Sequence, residues 1–465
     1  MNAVIQSPAH NRPPIIGSPS SPNPLHWFNN FFLNLYLFVN HTWLAGWLTV
    51  WMGFTFQLAL LLAGTSMLLA LLTQDLLRVF QRRSSRWILL FSMWLILCAL
   101  LSYWRGGSVF WLRDSWLKSF LTFVIIVAAI NSLQDLHRSM RVIAWANLAL
   151  VGITLVKGTS DVSDNAVMGR YAADIGIFSN PNELANYLLI GLPFGYMALR
   201  QAQGIWGKIF WSGALGLVVV TLLRTGSRGG AIALGVLAIA VFFTSSAVGK
   251  LRLFVLGVSL TAATVALMPQ KTLNRYSTIF GKVDEDAMSD VSVDVAVGSS
   301  TSRIYLLQRS LQITFEHPIF GLGPGTFSDY LGHETKSKGL LGVWLVTHNT
   351  FTEISSETGL VGFTIYLLWL VSCFRLNFRI YRNARQTKQP LVEELALCLI
   401  LCLITYVVHG CFISMGYSFI LPMIAAYTIV LTSLAKVPAV QAARKNIGLI
   451  RPSAAIFPPA QPLHR

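Results

Sequence analysis

The chain has 465 residues, of which 54% are hydrophobic and 12% are charged, and its formal net charge at pH 7 is +16. Soluble domains average about 25% charged residues, so this composition excludes a water-soluble globular enzyme and a disordered protein. It also excludes a nucleic-acid-binding domain, because the basic residues are not gathered on one polar module. The composition therefore indicates an integral membrane protein.

Long apolar stretches recur along the chain, each close to the roughly 20 residues that a membrane-spanning helix needs. We expect an all-α, polytopic membrane protein with about twelve transmembrane helices. The predicted spans are 27–48, 51–73, 87–103, 118–133, 139–157, 183–199, 206–223, 229–247, 251–268, 350–374, 393–410 and 415–435. The first two are nearly continuous, so they are interpreted either as two spans or as one long span with an interfacial helix.

Polar tails flank the predicted spans. Residues 1–26 are rich in Pro and Ser and are predicted to form a disordered cytoplasmic tail, and residues 436–465 to form a basic cytoplasmic tail. The first nine spans occupy 27–268 and the last three occupy 350–435. A basic region followed by a short apolar run and a cleavage site is not found at the start, so no cleaved signal peptide is expected.

The distribution of charge predicts the orientation. With both termini in the cytoplasm, the cytoplasmic segments hold 21 of the 35 Lys and Arg residues and four of the 19 acidic residues. This excess is what the positive-inside rule expects. The strongest anchors are basic clusters after the second and the tenth span: Arg78, Arg82, Arg83, Arg86, Arg375, Arg379, Arg382, Arg385 and Lys388.

Long connections lie on the outer side in this orientation, at 157–182 and as one large periplasmic loop at 269–349. Long loops on a rigid scaffold are where binding and catalysis tend to occur. The large loop begins with an irregular, acidic stretch, and residues 301–317 then place apolar side chains at helical spacing. We expect Thr301 or Ser302 to cap this helix and Pro318 to end it, before a turn rich in Gly and Pro.

Asp, Glu, Lys and Arg are not found near the middle of any predicted span, where a charge would mark an ion path or a proton relay. Charged residues and a histidine gather instead at predicted outer helix ends: Glu183, Arg224, Arg228, His348, Glu353 and Glu357. Any chemistry is therefore expected at the outer boundary between membrane and water.

The segment Ser179-Asn-Pro-Asn-Glu183 opens the sixth span. Pro181 in the first turn and Glu183 beside the positive end of the helix form a helix start signal, which explains the segment by structure alone. In the alternative interpretation, Asn180 and Asn182 hydrogen-bond a sugar.

The short turn Arg224-Thr-Gly-Ser-Arg228-Gly-Gly carries two arginines on the side of the membrane where arginine is disfavoured. Guanidinium groups bind phosphate oxygens in a planar, bidentate manner, and the helix N-terminus that follows also favours an anion. We interpret the turn as a phosphate-binding site, the alternative being arginines that extend to lipid headgroups. In the loop helix, Arg303 or Arg309 is a candidate for a third cation, the alternative being a solvated helix face.

His348 and Asn349 stand at the start of the tenth span, followed by Glu353 and Glu357. A neutral imidazole near pH 7 can take a proton from an attacking hydroxyl, and either glutamate is a candidate to orient it. As metal ligands, one histidine and two carboxylates are an incomplete set, so we expect no metal and no other cofactor. A capping or packing role is the structural alternative for the histidine.

Several short motifs share this outward placement. They occur in the order Phe178-Ser-Asn-Pro-Asn-Glu-Leu-Ala, Arg224-Thr-Gly-Ser-Arg-Gly-Gly, Ser302-Arg303, His317-Pro-Ile-Phe-Gly-Leu-Gly-Pro-Gly-Thr-Phe, and Thr347-His-Asn-Thr with Glu357-Thr-Gly-Leu-Val-Gly. With these motifs, residues 170–375 resemble the O-antigen ligase and O-antigen polymerase superfamily of bacterial membrane proteins. The chain is also similar to the cyanobacterial proteins of that superfamily once proposed to transport inorganic carbon.

The resemblance implies a glycan transferase that uses a polyprenyl-diphosphate-linked sugar chain as donor and a hydroxyl of a lipid, a protein or another glycan as acceptor. It implies that Arg224 or Arg228, together with Arg303, holds the diphosphate. It also implies that His348 is the base that activates the acceptor hydroxyl, at the periplasmic face of the bacterial inner membrane. The expected partners are these substrates and membrane lipids, with no nucleic acid.

Other functions are compatible with the same sequence. A polymerase of O-antigen or exopolysaccharide shares the donor chemistry and differs in the acceptor. A transporter of bicarbonate or of lipid-linked sugars would instead show repeated halves and polar groups at mid-membrane, and neither is visible in the sequence. A structural subunit of an envelope assembly would tolerate the loss of His348.

Overall fold

The computed structural model describes residues 24–447 except 56, 74, 82–84, 157–169, 174, 252–254, 256, 259–265, 267–268, 278–290 and 340–341. Within these residues the chain is helical and contains no β-strand. The helices are α1 (Pro24–Thr42), α2 (Leu44–Met52), α3 (Leu58–Leu72), α4 (Asp75–Gln81), α5 (Arg86–Leu100), α6 (Arg105–Trp111), α7 (Leu117–Ala129), α8 (Leu133–Val156), α9 (Pro181–Gln201), α10 (Gly204–Arg224), α11 (Arg228–Thr244), α12 (Gln270–Ser277), α13 (Val291–Glu316), α14 (Phe327–Ser337), α15 (Thr350–Gln386), α16 (Pro390–Gly410) and α17 (Ile420–Ile447). A π-helical turn, Leu112–Trp116, joins α6 to α7.

Apolar helices long enough to cross a membrane confirm that the chain is a helical membrane protein. By length and composition these are α8, α10, α15 and α16, and α3, α5, α11 and the first part of α17 are apolar but shorter. Every predicted span overlaps a described helix except 251–268, which lies largely outside the described residues. The tail residues 1–23 and 448–465 lie outside them as well.

The first apolar stretch is divided into three helices. Trp43 adopts a left-handed conformation, with φ of 53°, between α1 and α2. Its indole ring lies against Gly46 and Gly176, where a β-carbon would overlap the ring. A bulky residue keeps such a conformation only when its surroundings hold it there. The first apolar stretch therefore contains α1, α2 and α3, with a break at Trp43, and whether it crosses the membrane once or twice stays open.

Three of the segments that the charge distribution assigns to the cytoplasm contact one another near the C-terminal end of α9. Arg200 forms an ion pair with Glu394, with 2.6 Å between Nη2 and Oε1, and His137 hydrogen-bonds to Gln201. Several segments assigned to the outer side meet near the opposite ends of α9 and α16, around a cavity described below. These contacts join segments that the charge distribution assigns to the same side, and the orientation in the membrane stays a prediction.

The described part of the 269–349 segment has a small core of its own. Leu306 and Ile313 of α13 pack with Leu322, Phe327 and Leu331. This core joins α13 and α14 into one unit, and α13 also packs along α15.

Helix α13 differs at one end from the expectation. It ends at Glu316, before Pro318, as predicted, but it begins at Val291. Thr301 and Ser302 therefore lie inside the helix and do not cap it, because the preceding residues continue the helical backbone. Most of the acidic stretch that precedes the helix lies outside the described residues.

Helix α15 is broken at Gly359, where φ is 68° and ψ is −178°. A break leaves backbone groups without helical partners. Residues 318–326, which we call the glycine turn, supply most of the missing partners. The bonds at the break are Leu322 N–H to Ser356 O (2.9 Å), Gly323 N–H to Glu357 O (2.9 Å), Leu360 N–H to Pro318 O (2.7 Å) and the Trp94 indole N–H to Thr358 O (2.9 Å). The break therefore fastens the outer loop to a long apolar helix.

Replacing Gly359 by Ala should destabilise the protein. A β-carbon at this position would overlap the carbonyl oxygen of Ile319, and the left-handed φ disfavours any L-residue. We expect a loss of about 1–3 kcal/mol in the free energy of unfolding, read as a lower Tm in detergent micelles. The matched control is Gly235→Ala in α11, where a β-carbon meets nothing within 4 Å. Equal Tm values for the two variants would contradict this role of the break.

Candidate functional site

The turn between α10 and α11 is held by two segments from other parts of the chain. Each segment contributes an arginine followed by a tyrosine, Arg170-Tyr171 and Arg275-Tyr276. Their hydrogen bonds to carbonyl oxygens at the end of α10 are Tyr276 OH to Leu223 (2.8 Å), Tyr171 N–H to Arg224 (3.0 Å), Arg170 Nε to Thr225 (3.2 Å) and Arg275 Nε to Gly226 (3.1 Å). The Leu223 carbonyl also accepts the N–H of Gly226 (3.1 Å), whereas Arg224, Thr225 and Gly226 lie at the end of the helix, where carbonyls lack helical partners and the two segments supply donors.

Gly226 allows both arginines to approach the turn closely. Its φ is 63°, a left-handed conformation that glycine adopts without strain. A β-carbon at Gly226 would lie 3.3 Å from Cδ of Arg275 and 3.5 Å from Cγ of Arg170. The Thr-Gly-Ser sequence of the turn thus leaves space for two side chains that come from distant parts of the chain.

Arg170, Arg228, Arg275 and Arg303 form a group that we call the arginine cluster. Burial lowers the pKa of Arg170 to about 9, and the charges of the other three members add to this effect. Burial also lowers the pKa of Arg275 to about 10, with the charge of Arg228 the next cause. Both pKa values stay above 7, so the guanidinium groups are charged at neutral pH. Buried like charges repel one another, and a bound anion would relieve this repulsion.

Arg303 and Arg309 lie on the same helix but in different surroundings. Burial and the charge of Arg228 lower the pKa of Arg303, and within the described part of the chain its guanidinium forms no hydrogen bond or ion pair. Arg309 instead pairs with Glu316 and Glu334, each at 2.7 Å. Of the two candidates, only Arg303 belongs to the arginine cluster.

Arg224 lies beside the cluster, but its guanidinium group contacts the ring of Tyr171. Its guanidinium carbon lies 4.6 Å from the centre of the Tyr171 ring, a cation–π contact. Between the two arginines of the turn, Arg228 is therefore the one that belongs to the cluster.

The asparagines at the start of α9 hold this region together. Asn180 caps the helix by accepting the N–H of Asn182 at 2.9 Å, and Pro181 and Glu183 occupy the first turn, so the predicted helix start is confirmed. The side-chain oxygen of Asn182 accepts from Nη2 of Arg170 and from the hydroxyl of Ser227, both at 3.0 Å. Asn182 thus connects the starts of α9 and α11 to the arginine cluster.

His348 precedes α15 in a left-handed conformation, with φ of 52°. Asn349 caps the helix by accepting the N–H groups of Phe351 (2.9 Å) and Thr352 (3.1 Å). Burial lowers the pKa of His348 to about 4, and the charge of Arg303 adds to this shift. The imidazole is therefore neutral at pH 7 and lies within electrostatic reach of the arginine cluster.

A cavity of about 500 Å³, which we call the central cavity, brings these predicted outer segments together. It is lined by residues of α1, α9 and α15 and of the 413–419 segment, among them His348, Asn180, Asn182, Glu183 and Glu353. Trp43 and His348, two of the three described non-glycine residues with positive φ, both line it. Strained backbone of this kind is concentrated at functional sites.

The two glutamates of α15 have separate environments. Oε2 of Glu353 accepts the N–H of Gly416 at 2.8 Å. The carboxyl group of Glu357, which is 4% exposed, accepts the N–H groups of Gly325 (2.7 Å) and Phe327 (3.1 Å). In the described part of the chain neither glutamate is hydrogen-bonded to His348. Glu357 therefore fastens the glycine turn and the start of α14.

The start of α15 also carries possible metal ligands. Within the described residues, no group of three or more His, Cys, Asp or Glu side chains is placed to hold a metal ion. His348, Glu353 and Glu357 are thus not brought together as one set of ligands.

Arg170 and Arg275 are cluster members that the sequence motifs do not include. Both lie in segments assigned to the outer side, where arginine is disfavoured, and this argument already selects Arg224 and Arg228. Applied to every outer arginine, it would have selected these two as well.

The fold and the site define a multi-pass helical membrane protein with buried arginines beside a cavity that contains a neutral histidine. Residues 213–367 match the family model described as O-antigen ligase. This match confirms the resemblance of the motifs within these residues to O-antigen ligases. The match includes Arg224, Arg228, Arg303 and His348 and supports a glycan-processing function of the ligase or polymerase type. No curated protein matches the chain.

Two substitutions in the cluster should affect stability differently when no anion is bound. Arg303→Met relieves repulsion and breaks no hydrogen bond among the described residues, so Tm should stay equal or rise. Arg275→Met removes the bond to the Gly226 carbonyl, which is worth about 1.5–3 kcal/mol, so Tm should fall. Thermal unfolding in detergent at low salt compares them. A larger loss of Tm for Arg303→Met than for Arg275→Met would contradict this description.

Proposed function

We propose that the protein is a metal-independent, inverting glycosyltransferase. It moves a glycan from a polyprenyl-diphosphate carrier to an acceptor hydroxyl at the periplasmic face of the bacterial inner membrane. The observation that carries this proposal is the arginine cluster beside the central cavity, with neutral His348 lining that cavity. The match of residues 213–367 to the O-antigen ligase family model supports the class of substrate.

The arginine cluster is suited to a diphosphate. Several guanidinium groups are repelled by one another, and a diphosphate offers both the opposite charge and pairs of oxygens that match the guanidinium geometry. The N-terminus of α11, which begins at Arg228, adds favourable potential for an anion. Because the cluster lies at helix ends, the polyprenyl chain can stay among apolar helices while the head group reacts.

The proposed reaction is a single displacement. His348 accepts the proton of the acceptor hydroxyl as the oxygen bonds to the anomeric carbon. The bond between that carbon and the diphosphate oxygen breaks, and its electron pair leaves with the polyprenyl diphosphate. Arg228 and Arg303 stabilise the negative charge that develops there. Attack opposite to the leaving group inverts the anomeric configuration.

Donor binding and basicity are coupled in this proposal. The charge of Arg303 contributes to the low pKa of His348 in the empty site. A diphosphate bound to Arg303 offsets that charge and so raises the pKa of the imidazole. His348 is therefore a stronger base when the donor is present than when it is absent.

The remaining polar residues have two proposed roles. Asn180 and Glu353 line the central cavity and contact substrate sugars. Asn182, Asn349 and Glu357 position the reacting groups through their hydrogen bonds. Asn182 holds Arg170, Asn349 holds the start of α15, and Glu357 holds the glycine turn. Arg224 supports the turn from its place on the Tyr171 ring.

Donor cleavage is the direct test. Purified protein is supplied with a polyprenyl-diphosphate oligosaccharide and a cell-envelope extract as acceptor, and free polyprenyl diphosphate is measured. His348→Asn keeps a residue that tolerates the left-handed backbone and should reduce kcat by about 10²–10⁴-fold. Arg228→Gln should raise the donor KM and reduce kcat, while Arg385→Gln, exposed at the other end of α15, should match the wild type.

The products of that test separate the alternatives. A single transfer indicates a ligase, a ladder of products indicates a polymerase, and movement of an intact donor across the membrane indicates a transporter. Wild-type turnover by both His348→Asn and Arg228→Gln would overturn the site assignment. Turnover that requires a divalent ion would overturn the metal-independent mechanism.

The pH dependence of donor turnover should reflect the neutral histidine. Because the pKa of His348 is lowered to about 4, its protonation should not limit kcat/KM between pH 6 and 8 and should reduce it only near pH 4. Arg303→Gln removes one cause of the lowered pKa, so the acid limb should shift to higher pH by up to about one unit. An acid limb that is unchanged or moves to lower pH in Arg303→Gln would contradict the coupling.

A further inference from the structure

The last turns of α15 have a buried face and an exposed face. Asn377 and Ala384 are buried, and Asn377 donates to the hydroxyl of Thr428 in α17 at 2.7 Å. The opposite face is exposed and carries side chains at helical spacings of three and four residues, namely Arg375, Phe378, Arg379, Arg382 and Gln386. One side of this part of α15 therefore packs inside the bundle, while the other side is accessible.

A cavity of about 800 Å³ lies along the exposed face, and we call it the basic cavity. The described residues that line it all belong to α15. They are the five residues of the exposed face, with Phe374 and Asn383 on either side of them. Three of these side chains are arginines and none is acidic, so the cavity is suited to an anion.

The three arginines of the basic cavity repel one another. Arg379 lies four residues after Arg375 and three residues before Arg382, and like charges at these spacings destabilise a helix. Within the described part of the chain, none of the three forms a hydrogen bond or an ion pair. The acidic residues of α15, Glu353 and Glu357, belong to the opposite end of the helix. An anion from outside the chain would therefore relieve the repulsion.

Side chains of the basic cavity follow an order along the helix that matches a phospholipid. Phe374 and Phe378 come first, then the last two arginines, and the amides of Asn383 and Gln386 come last. The predicted span 350–374 ends at Phe374, so the phenyl rings lie at the predicted edge of the hydrocarbon core and the amides lie beyond it. A phospholipid presents acyl chains, a phosphodiester and a polar head group in the same order. Guanidinium groups match phosphate oxygens, and amides match hydroxyl groups.

The phenyl rings distinguish a lipid from a free phosphate. The side chain of Phe378 is 54% exposed between two arginines of the cavity. An acyl chain would cover this ring and remove it from water, whereas a free phosphate would leave it uncovered. Arg375 precedes Phe378, but its long side chain can extend along the helix to the level of the phosphate. The cavity therefore favours a ligand that is both anionic and apolar.

We propose that the basic cavity binds an anionic phospholipid. Its phosphodiester lies on the arginines, an acyl chain lies against the phenyl rings, and a polyol head group such as that of phosphatidylglycerol hydrogen-bonds to the amides. The bound lipid offsets the repulsion within the cavity and holds this end of α15 at the membrane surface. The site lies at the other end of α15 from His348, so this inference does not rest on the proposed transferase function.

Lipid binding tests the site directly. Purified full-length protein in detergent micelles is mixed with phosphatidylglycerol, or with phosphatidylcholine of the same acyl chains, and native mass spectrometry measures the bound lipid. The wild type should bind phosphatidylglycerol about tenfold more tightly, because phosphatidylcholine carries no net charge. Arg379→Gln combined with Arg382→Gln should remove this preference. The matched control is Arg385→Gln combined with Lys388→Gln, which removes the same charge from exposed residues outside the cavity.

Thermal unfolding gives a second measurement of the same comparison. Phosphatidylglycerol should raise the Tm of the wild type and of the control variant, and it should have a smaller effect on the Arg379→Gln/Arg382→Gln variant. Equal affinity of the wild type for the two lipids would overturn the proposal. An equal loss in the two double variants would also overturn it, because the attraction would then depend on net charge and not on the cavity.

Two further measurements separate a lipid from a free phosphate. Phe378→Ala should weaken the binding of phosphatidylglycerol about tenfold, because the acyl chain loses its apolar contact. Phe243→Ala, at a ring that is 73% exposed in α11, should leave the binding unchanged. Millimolar inorganic phosphate should neither displace the lipid nor raise the Tm. Displacement of the lipid by phosphate, together with unaltered lipid binding by Phe378→Ala, would assign the cavity to a free anion and overturn the lipid site.

Discussion

Buried guanidinium groups need hydrogen-bond acceptors, and the turn between α10 and α11 supplies them. Its carbonyl oxygens lie at the negative end of the α10 dipole, where cations are favoured, and they accept from Arg170 and Arg275. The same turn begins α11, whose first residues present N–H groups and positive potential near Arg228. One short turn therefore anchors two arginines by its carbonyls and adds to the positive potential that they create. The excess positive charge is left for an anion, which is why the rest of the site can be organised around a diphosphate.

The break in α15 also holds the site together, because it attaches the glycine turn to this helix. Residues 350–358 form the first turns of the helix, and the break at Gly359 turns their last carbonyls towards the glycine turn and Trp94. Glu357 extends this attachment through its side chain to the start of α14. The outer half of α15 can therefore belong to the site while the remainder continues as an apolar helix. A straight helix would offer the glycine turn neither free carbonyls nor a place for Leu360 to bond to Pro318.

Local patterns in the sequence predicted much of this molecule. The apolar stretches of the sequence located the helices. The Asn-Pro-Asn-Glu segment correctly predicted the start of α9 at Pro181. Arginine on the side predicted to disfavour it selected Arg224 and Arg228 together, and the family motifs supported Arg303 and His348. These features are encoded within a few residues of one another, so a pattern in the chain is sufficient to find them.

Features that depend on distant contacts were not predicted. Arg170 and Arg275 become cluster members only because the turn at Gly226 accepts both of them, and no local spacing expresses this contact. The breaks at Trp43 and Gly359 lie inside apolar stretches, so hydropathy averaged along the chain does not reveal them. Glu357 was a candidate to orient a histidine because it is near His348 in the chain. Its actual partners, Gly325 and Phe327, are supplied by a turn about 30 residues earlier in the sequence.

Charge beside the central cavity also gives the proposed reaction a direction. Positive charge is concentrated in the arginine cluster, which Asn182 of the cavity wall contacts through Arg170. In the proposed displacement, negative charge develops on the diphosphate as it leaves beside these arginines, while His348 takes the proton of the acceptor hydroxyl. Positive charge that is fixed at the leaving group stabilises the transition state more than it stabilises the bound reactants, which is the requirement for lowering a barrier. The repulsion in the empty site and the stabilisation of the leaving group in the filled one therefore have the same origin in the placement of Arg170, Arg228, Arg275 and Arg303.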